Sequence, residues 1–410
     1  MTTTDAQPTG QVLFNPFDPA FRADPYPVFR RMREEEPVHQ SPFGMLVLSR
    51  YDDCVAMLRD HRSSSDGQNS DDFKEAWQRG DVDADAMLMS TRPFLFMDPP
   101  DHTRLRGLVN KAFTPRVVEQ LRPRIQQIVD ECIAAAATKG EMDVIADLAY
   151  PLPVRIICEM LGVPPADHET FQGWSRDLAS GLDPDFAVPQ QVIDQRAGAA
   201  DAFAEYFVHL VEQHREHPSD DLLSALIAAE DEGEKLTENE LLATSILLLV
   251  AGHETTVNLI GNGALALLRH PGELQRLRDD PSLIRSAVEE LLRYDPPVQL
   301  TARTALEDIV LGDATIPKGK LAVLLIGAAN RDPKQFPDPE RLDIGREDNR
   351  HIAFGLGIHF CLGAPLARVE GQIAIQALSQ LRGLELAGEP VYKTNITLRG
   401  LATLPVRFAR

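Results

Sequence analysis

One cysteine set in a glycine-rich turn is the first place in this sequence where chemistry could reside. The string Phe354-Gly355-Leu356-Gly357-Ile358-His359-Phe360-Cys361-Leu362-Gly363 puts a single thiol just ahead of a helix expected over 364–381. Exposed amides and a helix N-terminus stabilise negative charge, so the setting favours thiolate. The glycines would let a flat cofactor approach the sulfur closely. They do not make a nucleotide cradle, because Phe360 stands where a dinucleotide loop needs its third glycine and no valine-rich strand precedes it. The plainer alternative is a small buried hydrophobe, the usual fate of a lone cysteine.

Ala251-Gly252-His253-Glu254-Thr255-Thr256 is the second candidate. A zinc-protease reading needs histidine four places after His253, and Val257 stands there. Two other readings stay open. Gly252 could loosen a helix so that Thr255, beside an acid, presents its hydroxyl in a widened groove; or Thr255 could bond back to the carbonyl four residues earlier. His253 could supply one hydrogen bond to a pocket or sit satisfied in the core.

Charged groups supply the rest. Glu290 and Arg293, three apart, can pair on one helix face, which matters only if both are buried and a third partner holds them. His102 and Arg106 share a face of another helix. With Arg303 and His359 they make four donors that could clamp the carboxylates of a cofactor.

The elements that must position these groups are mainly helical. Thr237 and Glu240 fit a capping box, and a helical pattern then runs to His270-Pro271, a rod of roughly 50 Å at about 1.5 Å per residue. Its middle, 247–251, is apolar on every side and so expected to be buried, which makes the polar residues that follow costly unless partnered. Strand-like runs are short (45–49, 309–311, 321–326 and 394–398) and suggest small antiparallel sheets beside a helical body. Residues 63–86, with seven acidic and two basic side chains, read as an exposed connection, either covering a pocket or serving only as a linker.

Composition bounds the function. The chain has 410 residues, 41 Lys+Arg and 62 Asp+Glu, a formal net charge of −21. That balance opposes nucleic acid and anionic lipid over the whole surface. The four cysteines, Cys54, Cys132, Cys158 and Cys361, form no CxxC, which argues against a zinc cage or disulfide framework and suits a reducing cytoplasm. The start is polar and the greasiest stretch is soon broken by His253 and Glu254, so a soluble chain with no membrane span is expected. No repeat or linker divides the sequence, and 1–410 reads as a single domain, expected to be monomeric.

Taken together the motifs resemble the cytochrome P450 family, in particular its soluble bacterial, actinobacterial-type members. Phe354, Gly357, Cys361 and Gly363 match the haem loop, Glu290 and Arg293 the Glu-x-x-Arg pair, and Ala251 through Thr255 the acid-alcohol motif. The resemblance implies a mainly α (α+β) P450 fold and haem b bound through the Cys361 thiolate. His102, Arg106, Arg303 and His359 would hold its propionates, with Phe354, Gly355 and Gly363 around it. Arg341 would complete the Glu290–Arg293 cluster, and Glu254 and Thr255 would deliver the protons that dioxygen cleavage needs.

By family position Phe94, Leu95, Leu247, Val250, Ala251, Val298, Gln299, Ile396 and Thr397 would meet a hydrophobic small-molecule substrate. Electrons would come from a ferredoxin and its reductase, docking on Arg104, Lys111, Arg116, Arg350 and Arg368, unless these are scattered solvated charges. The implied activity is monooxygenation, a hydroxylation or epoxidation. A peroxide-driven haem-thiolate enzyme and a haem sensor are the rival readings.

Overall fold

The computed structural model describes residues 14–41, 45–80, 92–179, 183, 188–231, 234–312 and 314–409. Its axis is the long helix Glu238–Arg269, started by the expected box: Thr237 Oγ1 accepts from the Glu240 amide at 3.2 Å, and Glu240 Oε2 accepts from the Thr237 amide at 2.9 Å. It ends at His270, before the proline that opens the next helix. By length and composition it could cross a membrane, but 72% of its apolar window is buried inside the molecule, which marks it as a core helix. The helices Pro151–Met160, His168–Ala179, Ile284–Tyr294 and Ala364–Ser379 pack around it.

Beside this body lies a five-stranded sheet built from β1 (Val38–Gln40), β2 (Leu46–Leu48), β3 (Ser63–Ser64), β4 (Leu300–Ala305) and β5 (Leu321–Leu325), in the order β1-β2-β5-β4-β3. The apolar run of β5 is explained by cover on both faces. Ala322 and Leu324 pack with Met57 and Leu58, whereas Val323 and Leu325 pack with Phe29 and Met32. Contrary to the expectation of antiparallel sheets only, β2 pairs parallel to β5, Val47 opposite Val323. β4 runs antiparallel to β5 and sets Arg303 opposite Ala322. Its polar sequence, Leu-Thr-Ala-Arg-Thr-Ala, gave no strand signal.

Two other expectations are corrected. Within 63–86, Ser63–Ser64 is β3 and Asp71–Arg79 is a helix, capped by Ser70 Oγ on the Phe73 amide (3.2 Å) and stopped by Gly80 at φ 76°; residues 81–86 lie outside the described part. Residues 394–398 form no strand. Asp183 instead captures the amides of Ile396 and Thr397, and only Leu398 bridges to Val298.

Candidate active site

The cysteine loop closes when the Cys361 amide donates to the Phe354 carbonyl at 2.9 Å. Gly355 and Gly357 sit at φ 67° and 69°, conformations that favour glycine, and a Cβ on Gly357 would meet the Leu58 carbonyl at 2.7 Å. Gly363 lies at φ −78° as the cap of Ala364–Ser379; what it supplies is an amide near the sulfur, together with that of Ala364. Burial pushes the Cys361 thiol up, and the Gly363 and Ala364 amides with the Arg106 and Arg368 charges only partly offset it. A cation held against the sulfur would act in the same direction as those amides and charges.

Above the loop the four expected donors come together. His102 is 2% exposed with neither ring nitrogen partnered, and His359 has an unpartnered, buried Nε2. Their rings lie 4.2 Å apart. Burial, reinforced by the charges of His102, Arg303 and Arg106, pushes His359 down to about 3. Burial likewise lowers Arg303 to about 10; its Nη1 reaches only Thr301 Oγ1 and the Ala302 carbonyl. Arg106 donates to the Phe360 carbonyl at 2.8 Å. Among the described residues no carboxylate lies within ion-pairing distance of His102, Arg106 or Arg303. Such a set, unsatisfied and short of negative charge, fits a buried group bearing carboxylates.

Glu290 and Arg293 are both fully buried and joined by a fork of 2.7 and 2.8 Å. The third partner is Arg346, not Arg341. Arg346 Nε lies 3.1 Å from Glu290, with the Asn349 amide group and the Asp343 N–H also donating to that carboxylate. Arg341 lends only its carbonyl to Arg293, and its own side chain is 63% exposed.

On the long helix, Thr255 Oγ1 donates to the Ala251 carbonyl at 2.7 Å, and the helix runs unbroken through Gly252. The back-bonded reading of Thr255 is the one adopted, without the loosened turn. Glu254, 5% exposed, is turned onto Lys393 Nζ, which also donates to Asn258 Oδ1 at 3.2 Å. His253 is a core histidine: its Nδ1 meets Ser175 Oγ at 2.7 Å, and burial pushes it down to about 4. The sequence gives no sign of Lys393 or Arg346, since no periodicity links residues so distant along the chain; Asn258, one turn after Glu254, shares its helix face.

The pocket residues divide. Ala251 is exposed and Leu247, Leu95, Val298, Ile396 and Thr397 are half-buried, so the middle of the long helix is open on one side rather than buried all round. Val250 packs on Leu178 and Ala199. Phe94 is buried beside His102 and Arg106, on the carboxylate-seeking side. Gln299 is buried, its amide donates to the Pro296 carbonyl at 2.8 Å, and its oxygen is without a partner.

The docking candidates differ in their surroundings. Arg104 is paired with Glu240, and Arg368 forks onto Glu289 at 2.7 and 2.9 Å. Lys111 and Arg116 are exposed, and Arg350 forms a surface pair with Asp348.

Glu370, on the cysteine helix, yields a first prediction. It is 1% exposed, and burial pushes its carboxyl up to about 8, against a weaker opposing effect of the Thr256 hydroxyl. In the folded protein it stays protonated through neutrality, while the unfolded chain ionises near its ordinary value. Stability should therefore fall as pH rises from about 4.5 to about 8, by about 1.4 kcal/mol per pH unit at most. Urea unfolding of Glu370→Gln should lose this slope and exceed the parent by on the order of 2 kcal/mol at pH 8. An identical pH profile in both proteins would assign the slope elsewhere.

Comparison with known proteins carries the assignment further. The Cytochrome P450 family model matches residues 39–405. Cytochrome P450 CYP107DY1 of Priestia megaterium is 45% identical over 373 residues, 88% of this chain and 89% of its own. Vitamin D(3) 25-hydroxylase of Pseudonocardia autotrophica is 43% identical over 407 residues, 97% of each chain. The solved structure of PksS, the cytochrome P450 of the Bacillus subtilis 168 bacillaene polyketide synthase, superimposes with a TM-score of 0.87 at 41% identity, over 97% of this chain and 100% of that one. With the family model matching residues 39–405 and relatives aligned over most of their own length, the chain belongs to the cytochrome P450 family of monooxygenases, whose cofactor is haem.

Proposed function

We propose that the protein oxygenates a hydrophobic small molecule by hydroxylation or epoxidation, using Cys361 as the iron ligand and electrons from an external ferredoxin and its reductase. The observation that carries this is the cysteine loop lying with four cationic or orphaned donors, His102, Arg106, Arg303 and His359, which would hold the two haem propionates. When bound, haem supplies the activation of dioxygen that no side chain can perform. The chain's own residues do the rest. The Gly363 and Ala364 amides hold charge on the sulfur. Thr255 Oγ1, whose proton is given to the Ala251 carbonyl, keeps lone pairs to accept a hydrogen bond from water on the open side of the helix. Glu254 precedes it on the helix, and Lys393, 18% exposed at its side chain, pairs with that carboxylate and would relay protons from solvent.

Leu95, Leu247, Ala251 and Ile396 offer apolar area with few directional contacts, which suits a lipophilic natural product. The names of two relatives, one a vitamin D(3) hydroxylase and one tied to a polyketide synthase, support that class. Lys111, Arg116 and Arg350 are the exposed members of the ferredoxin surface, and docking there should weaken with salt. The four thiols are all free, which suits a reducing cytoplasm.

The test supplies ferredoxin, reductase, NAD(P)H and a panel of lipophilic compounds. Oxygenated product dependent on the electron donors is expected; product with peroxide alone overturns the reading. Thr255→Ala should cut product formed per electron pair by on the order of tenfold, with substrate affinity changed by less than about twofold. Equal coupling in variant and parent would remove Thr255 from proton delivery.

A further inference from the structure

Arg368 lies on the cysteine helix, seven residues past the thiol, yet its contacts point inward rather than to a partner. Its Nε and Nη2 donate to Glu289 Oε1 and Oε2 at 2.7 and 2.9 Å, a planar fork that fixes the guanidinium. That plane lies over the ring of Phe354, 4.5 Å from its centroid. Glu289 is shared: Oε2 also accepts from His351 Nε2 at 3.1 Å, while the Ala353 amide donates to His351 Nδ1 at 3.2 Å. The second bond decides the tautomer, because Nδ1 must accept and the proton therefore sits on Nε2. The network ties helix Ile284–Tyr294, the loop segment 351–354 and the cysteine helix to one carboxylate. Its last member, Phe354, offers the carbonyl that receives the Cys361 amide.

We propose that Arg368 is a positioning residue for the cysteine loop: anchored by Glu289, it clamps the Phe354 ring and so fixes the carbonyl that holds Cys361 in place. This assignment replaces a docking role, for which a guanidinium already forked to a carboxylate is poorly placed. It rests on Cys361 being the ligand.

Arg368→Met, Arg368→Lys and Glu289→Gln are compared with the parent as purified haem proteins. Three quantities are read: the reduction potential, the fraction of the reduced carbon monoxide complex that retains the thiolate signature, and the salt dependence of ferredoxin affinity. Arg368→Met should shift the potential to more negative values and lose thiolate retention. Arg368→Lys, which keeps the charge but not the fork or the stacking plane, should recover the potential more than the retention. Glu289→Gln leaves the arginine charge and removes its anchor, so retention should fall there too. The salt slope of ferredoxin binding should stay parental in all three.

Parental potential and retention in Arg368→Met, with a reduced salt slope, would overturn the proposal in favour of docking. Should Arg368→Met fail to fold, parental retention in Glu289→Gln and Arg368→Lys overturns it equally. A parent protein lacking the thiolate signature sinks the Cys361 reading and this one together, whereas a normal parent with unmoved variants sinks this one alone.

Discussion

Cys361→Ser folds, binds haem weakly or not at all, and shows no thiolate signature when reduced and exposed to carbon monoxide. Oxygen for sulfur changes the side chain's volume little, so the fold is not the casualty. What changes is the ligand. A hydroxyl is far harder to deprotonate than a thiol, and here burial already works against ionisation with only the Gly363 and Ala364 amides and two arginines opposing it. Electron donation to iron is lost with the thiolate, and oxygenation should fall to background. The remaining cysteines are the controls. Cys54 and Cys158 are fully buried among apolar side chains, and burial pushes both thiols upward. Serine there should cost stability and leave the signature untouched. A Cys361→Ser protein with the parental spectrum would assign the iron to another residue.

The second large effect concerns Glu290. Glu290→Gln removes the carboxylate charge that, among the described residues, faces the guanidinium groups of Arg293 and Arg346, and the fully buried Arg293 is then left without its ion-pair partner. Breaking such a pair costs roughly 3–5 kcal/mol, a large share of the roughly 5–15 kcal/mol that holds a typical protein folded. Urea unfolding should show the loss, and the yield of haem-loaded protein should drop, because the same carboxylate holds the Asp343 amide and the Asn349 side chain ahead of the cysteine loop. Arg346→Met should resemble Glu290→Gln in direction. Arg341→Met, at a largely exposed side chain, should change stability by less than about 0.5 kcal/mol. If Arg341→Met proves the more damaging, the pairing drawn here is wrong.

The contrast between those two arginines shows what a sequence can and cannot say. Glu290 and Arg293 are three apart on one helix, so their meeting follows from helical geometry. Arg341 and Arg346 both lie in an irregular segment with no period, and which of them turns inward is settled by tertiary packing. The capping box at Thr237 was legible because cap and box partner are local. Lys393 was not, because Glu254 finds it only through the fold of the segment after the cysteine helix. Polar β4 was hidden because its place in the sheet is set by the apolar β5 alongside. Acidic composition in 63–86 masked Asp71–Arg79, whose Ser70 cap and Gly80 stop are ordinary helix signals. The cysteine loop was legible as a glycine turn leading into a helix, since glycine, thiol and helix start lie within ten residues.

The parallel pairing of β2 with β5 sets a timetable for biosynthesis. Val47 emerges early from the ribosome and waits for Val323, roughly 15–60 s at ordinary elongation rates of about 5–20 residues per second. Until then an apolar strand stands without its neighbour, the kind of surface that nascent-chain chaperones shield. Arg303 belongs to the same sheet and Cys361 is translated later still, so on the proposed assignment of these residues to haem, its capture is deferred until translation is nearly over, and a polypeptide stalled before Cys361 would lack the proposed iron ligand.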